Sequence, residues 1–157
     1  MGRFNLYREQ LVPKEIEEVF SFYQDASNLQ KLTPKHLDFR FITKLPIDMK
    51  AGTTIDYSIR LFGLPMRWRT LIESFDPPNS FSDSQQKGPY KYWLHIHEFE
   101  RVDGGTRVID RVTYELPFWF IGRIAHTVFV RRTLEGIFDF RAKKIEEIFG
   151  VLQRPLE

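Results

Sequence analysis

The stretch that decides the fold is Tyr90–Leu116, YKYWLHIHEFERVDGGTRVIDRVTYEL. Two alternating runs flank Val102-Asp103-Gly104-Gly105. A period of two marks a strand with unlike faces, and Asp-Gly-Gly supplies positive φ at little steric cost. The segment therefore reads as a long β-hairpin. One face of the first arm carries Trp93, His95, His97 and Phe99, and the other Tyr92, Leu94, Ile96 and Glu98. In the second arm Thr106, Val108, Asp110, Val112 and Tyr114 share a face, while Arg107, Ile109, Arg111, Thr113 and Glu115 form the solvent side. The aromatic ends of the first arm turn its histidine face inward as well.

Working upstream, Thr54–Leu61, Met66–Phe75 and Phe81–Gln85 read as strands, separated by turns at Phe62-Gly63-Leu64-Pro65 and Asp76-Pro77-Pro78-Asn79. Leu37–Ile42 looks extended, and Phe4–Leu11 alternates as a first strand. Pro13 opens a helix whose apolar positions are Ile16, Val19, Phe20 and Tyr23. Asp25 or Ser27 caps a second short helix through Leu32, stopped by Pro34. Downstream, Pro117 ends the hairpin and Trp119–Phe149 becomes helical, with Ile121, Ile124, Ala125, Val128, Phe129, Arg132, Gly136, Ile137 and Phe140 broadly on one side. Gly136 marks a bend or a close approach to the sheet. The order is strand, two helices, about six strands, long helix. This is an α+β protein with a curved antiparallel sheet and one helix able to cover its concave face. Residues 1–150 are expected to form one domain, with 151–157 as a tail.

Bulk properties remove several function classes. With 23 basic and 21 acidic residues the chain lacks the concentrated basic charge of a nucleic-acid binder. The absence of cysteine excludes disulfides, a thiolate nucleophile and a cysteine-type zinc site. No apolar run approaches a membrane span, and MGRFNLYREQ has no signal-peptide core, so a cytoplasmic protein without membrane insertion is expected. Fifteen phenylalanines supply bulky apolar area that can fill a core or line a cavity.

If the facing assignments hold, Asp83, Gln85, His95, His97 and Asp110 enter an otherwise aromatic and aliphatic interior. Buried polar groups need partners, so these bond each other, water or a ligand. The histidines can stitch adjacent strands, touch a ligand, or act as a base oriented by an aspartate. His-x-His with an aspartate can also hold a metal, but the spacing alone is a weak signal, and neither metal nor cofactor is assigned. No nucleophile motif accompanies them.

The motifs Phe81-Ser82-Asp83-Ser84-Gln85, Gly88-Pro89-Tyr90, Trp93-Leu94-His95-Ile96-His97-Glu98-Phe99, Gly104-Gly105-Thr106, Asp110 and Tyr114-Glu115-Leu116-Pro117, in this order of elements, resemble the SRPBCC superfamily of START/Bet v 1-like proteins. The likeness covers about residues 3 to 149 and is nearest to a bacterial cyclase/dehydrase-like or ligand-binding branch. It implies a helix-grip fold: a curved seven-stranded sheet closed by the long helix over a cavity open to hydrophobic small molecules. By the facing argument, the cavity wall comprises Trp68, Asp83, Gln85, Trp93, His95, His97, Asp110 and Tyr114, with Phe129 and Phe140 from the helix. The expected function is binding or transport of a lipid, polyketide or aromatic metabolite by a monomer or homodimer. The rivals are an aromatase/cyclase- or hydrolase-type enzyme using a His/Asp pair, and a protein-partner module using Phe118-Trp119-Phe120.

Overall fold

A computed structural model describes residues 2–61, 63–117 and 129–153. Its elements are β1 (Phe4–Val12), α1 (Ile16–Gln24), β2 (Arg40–Phe41), β3 (Thr54–Leu61), β4 (Leu64–Asp76), β5 (Ser80–Lys87), β6 (Tyr92–Val102), β7 (Gly105–Glu115) and α2 (Arg131–Phe149), with short 3₁₀ turns at Ala26–Leu29 and Lys35–Leu37. The seven strands form one antiparallel sheet in the order β1-β7-β6-β5-β4-β3-β2. Every step from β2 to β7 is thus a hairpin or short return between sheet neighbours. Only β1 crosses to the far edge, where it pairs with β7 from Phe4↔Tyr114 to Val12↔Thr106. This is the helix-grip architecture implied by the order of elements.

The β6–β7 hairpin turns as read, with Gly104 at φ 84°. Gly105 has a different reason to be glycine: a Cβ there would fall 2.0 Å from the Val12 carbonyl oxygen, so β1 reaches its seat only because that side chain is missing. Alternation also holds on β6, where Trp93, His95, His97 and Phe99 are buried and the residues between them are half-buried. On β7 the inner face is as read, but Ile109 on the opposite face is also buried, flanked across the strands by Glu9 and Glu98.

Four local readings change. Helix α1 starts at Ile16, with Glu15 as its N-cap, so Pro13 lies before it. Asp25, and not Ser27, caps the next turn by accepting from the Ser27 N–H at 3.0 Å, and that turn is a single 3₁₀ segment. The extended stretch Leu37–Ile42 shrinks to Arg40–Phe41, because Pro34 is followed by a 3₁₀ turn ending at Asp38 with φ 44°. The strand after Gly63 resumes at once at Leu64.

Helix α2 turns a different stripe inward. Leu134, Phe138 and Ile145 are its buried residues, whereas Arg132 and Gly136 are exposed. The inward face is rotated by nearly half a turn from the expected one, and of the expected positions within the helix Ile137 alone reaches the cavity wall. Gly136 meets open space, so neither close approach nor the sheet explains it. The expected helical segment 119–128 and the Phe118-Trp119-Phe120 group lie outside the described residues.

Two apolar clusters fill the space between sheet and helix. One gathers Trp68, Trp93, Tyr114, Leu134 and Phe138, and the other Val12, Phe20, Phe81, Phe99 and Ile145. Along β6 the two histidines stand between Trp93 of the first cluster and Phe99 of the second, so a polar layer divides the apolar interior.

Candidate functional site

A cavity of about 180 Å³ lies between the sheet, α2 and the segment after α1. Its walls include Tyr57, Ile59, Trp68, Thr70 and Trp93 from strands, Leu134, Ile137, Phe138 and Arg141 from α2, and Leu29 and Leu32 from the 3₁₀ region. An apolar cavity of about 150 Å³ accommodates a benzene ring, so this space fits a slightly larger molecule. The strands supply rigid aromatic walls because the alternation of β4 and β6 aims Trp68 and Trp93 to the same side. Their rings meet edge to face at 5.4 Å.

Asp83, His95 and His97 reach the cavity wall. Strand register puts Asp83 opposite His95 and Asp110 opposite His97, but the side chains bond on the diagonals. His95 Nε2 lies 2.7 Å from Asp110 Oδ1, and His97 Nε2 lies 2.8 Å from Asp83 Oδ2. The diagonal choice lets the imidazoles stack, with centroids 3.7 Å apart and planes 27° apart. Phe81 continues the stack on His97 at 4.1 Å, and Phe138 meets His95 edge-on at 5.6 Å. His97 Nδ1 sits 3.4 Å from Asp110 Oδ1, within ion-pair range but outside hydrogen-bond geometry.

Electrostatics separates the two rings. Burial pushes His95 below its ordinary value of 6.5, and the charge of His97 beside it adds to the effect, outweighing Asp110. Burial acts the same way on His97, but Asp110 and Asp83 on its two sides overcome it and raise the ring above 6.5. Both carboxyls stay below the usual carboxylate range: burial opposes their ionisation, and the histidines more than offset it. At pH 6.5 the neutral form therefore prevails at His95, which donates from Nε2 to Asp110 and keeps Nδ1 as an acceptor, and the protonated form prevails at His97.

Of the residues expected at the wall, Trp68, Asp83, Trp93, His95 and His97 do line the cavity. Asp110 stands behind His95 as its partner. Gln85 turns away and clamps the following loop, donating to the Tyr90 carbonyl at 2.7 Å and accepting from the Tyr90 N–H at 3.0 Å. Tyr114 packs among Phe4, Tyr90 and Trp93. The two helix residues are corrections: Phe129 is 58% exposed, and Phe140 lies off the wall beside Lys144, both because the helix face is rotated. Sequence reasoning missed Arg141 and Phe138. Their spacing with Leu134 and Ile145 is itself a helical stripe, visible once the helix is started after residue 130.

One oxygen of Asp83 and one nitrogen from each histidine lie within 4.8 Å of one another, which is the raw material of a metal site. As placed, both Nε2 atoms are already taken up by carboxylates, and stacked rings present their nitrogens side by side instead of converging on a point. The arrangement suits proton sharing better than chelation.

A family model described as polyketide cyclase/dehydrase and lipid transport matches residues 12–141. The chain belongs to this family. It is accordingly an SRPBCC-type protein, as its motifs suggested. The family member resembles TTHA0849 from Thermus thermophilus, with a TM-score of 0.73 at 20% identity, over 92% of this chain and 95% of that one. It also resembles Ara h 8.0201, with a TM-score of 0.62 at 16% identity, over 93% and 99% of the two chains. The di-domain ARO/CYC StfQ from the steffimycin biosynthetic pathway matches with a TM-score of 0.71 at 10% identity, over 94% of this chain and 51% of that one. At these identities the likenesses show the fold. No curated protein sequence matches. Among the described residues no helix is long and apolar enough to cross a membrane.

Proposed function

We propose that this family member binds or carries a hydrophobic small molecule, a lipid, polyketide or aromatic metabolite, in the cavity between sheet and helix. The observation carrying this reading is an interior space walled by rigid aromatic and aliphatic side chains with a few polar groups at one end, the usual make-up of a small-molecule site. Under this reading the protein works in the cytoplasm as a monomer or homodimer, as one domain over about residues 1–150, with a small molecule and not a nucleic acid as its partner. The test is displacement of a fluorescent naphthalene probe by a panel of fatty and aromatic compounds. Ile137→Trp, which fills the space from the helix side, should abolish probe binding while the fold persists. Equal probe binding by the Trp variant would move the site elsewhere.

A second reading is favoured by one observation: two histidines of opposite pKa displacement share the cavity wall. Environments that push paired groups apart make one a base and the other an acid at the same pH. An aromatase/cyclase- or hydrolase-type enzyme would use His95 Nδ1 to accept a proton from a bound carbonyl compound and His97 to return one. Turnover lost in both His95→Gln and His97→Gln, with ligand affinity intact, would favour the enzyme. Affinity without turnover in the wild-type protein would favour the carrier.

A further inference from the structure

Arg141 lines the cavity from α2. Its guanidinium carbon stands 5.1 Å from the Phe138 ring centroid, so the stem runs along the helix and the head meets the cavity. Its Nε is buried with no hydrogen-bond partner among the described residues, and none of their carboxylates lies within 4 Å of it. Asp83 feels its charge but is already committed to His97. An arginine in such a place ordinarily holds a carboxylate or phosphate, because an unpaired buried donor is costly.

A second spare donor borders the same space. The Trp68 indole N–H is buried without a hydrogen-bond partner among the described residues, and Trp68 also lines the cavity. Tyr57 links the two: it stacks on Trp68 at 6.0 Å and 12°, and its hydroxyl feels the charge of Arg141. Both groups donate, as does His97 Nδ1, likewise buried without a hydrogen bond among the described residues, when its ring is protonated, so their complement must accept. Most of the remaining wall is hydrocarbon and aromatic, the exceptions being the Asp83–His95–His97 layer, Asp25, Asn28 and three threonines, Thr33, Thr70 and Thr133, so most of the ligand must be apolar.

We infer that the cavity takes an apolar carboxylic acid, whose carboxylate is held by the Arg141 guanidinium, with the Trp68 N–H as an auxiliary donor. The inference rests on the cavity-binding reading and sharpens it to a ligand class. Arginine presents parallel N–H groups that match the two oxygens of a carboxylate, which a neutral amide or alcohol cannot reproduce.

The test is calorimetric titration of octanoate and octanamide, which differ only in the head group, into the wild-type protein, Arg141→Gln and Arg141→Lys. The wild-type protein should prefer octanoate by about tenfold or more. Arg141→Gln should bring the ratio close to one while octanamide affinity changes little, and Arg141→Lys should fall between. An unchanged ratio in the Gln variant overturns the carboxylate assignment and leaves the cavity reading standing. Failure of both compounds to bind the wild-type protein overturns the cavity reading and the inference with it. A second measurement needs no variant: the Arg141 Nε–H resonance of the wild-type protein should shift with octanoate and stay with octanamide, and an unmoved resonance with bound octanoate contradicts the proposal.

Discussion

Two imidazoles stacked at 3.7 Å between two carboxylates titrate as a unit, and the environment splits them. His97 is raised above 6.5 and His95 lowered below it, so a proton NMR titration should show one apparent transition on each side of that value. Coincident transitions would contradict the split. The stability consequence has two limbs. A raised histidine stabilises the fold below 6.5 and loses that contribution as pH climbs through its folded value. A lowered histidine stabilises above 6.5 and loses it as pH drops through its folded value. Urea midpoints should therefore peak near 6.5, and His95→Gln should flatten the acid limb. Asp110→Asn removes the charge that both rings lean on; it should drop the His97 transition below 6.5 and cost roughly 1–3 kcal/mol in urea unfolding. The polar residues of this layer were legible in the sequence, since alternation alone put His95, His97, Asp83 and Asp110 on inward faces. The pairing was not, because register predicts direct neighbours while ring stacking selects the diagonals.

At the scale of elements, two glycines make opposite predictions. Gly105 has the Val12 carbonyl where a Cβ would be, so Gly105→Ala should push β1 off β7 and destabilise by about 1–3 kcal/mol. Gly136 sits exposed inside α2 with open space around its missing Cβ, so Gly136→Ala should stabilise by about 0.5–1 kcal/mol. Thermal unfolding of the two variants checks both, and a stabilised Gly105→Ala would show that the edge strand is not seated as described. The hairpins were readable because their turns carry glycine and their arms alternate. The helix face was misread because the stripe was drawn through residues 121–129 as one continuous run, whereas the buried positions Leu134, Phe138 and Ile145 follow the phase of the helix that begins at Arg131. The changed face takes Phe129 and Phe140 out of the wall and brings Arg141 in.

On the scale of the whole molecule, the strand order β1-β7-β6-β5-β4-β3-β2 and the helix across it leave a space that the side chains of the described residues line and do not fill. The order of elements made the sheet and its covering helix legible from sequence. The cavity itself was not, because fifteen phenylalanines can equally fill a core, and only the packed arrangement shows that Phe20, Phe81 and Phe99 close one end while Trp68 and Trp93 wall the other. The most direct test of the central claim is native mass spectrometry of the purified wild-type protein and of Ile137→Trp, followed by extraction and identification of whatever remains bound. The account predicts an apolar compound retained by the wild-type protein and missing from the Trp variant. A bare wild-type mass that gains no adduct from a panel of fatty and aromatic compounds would contradict it.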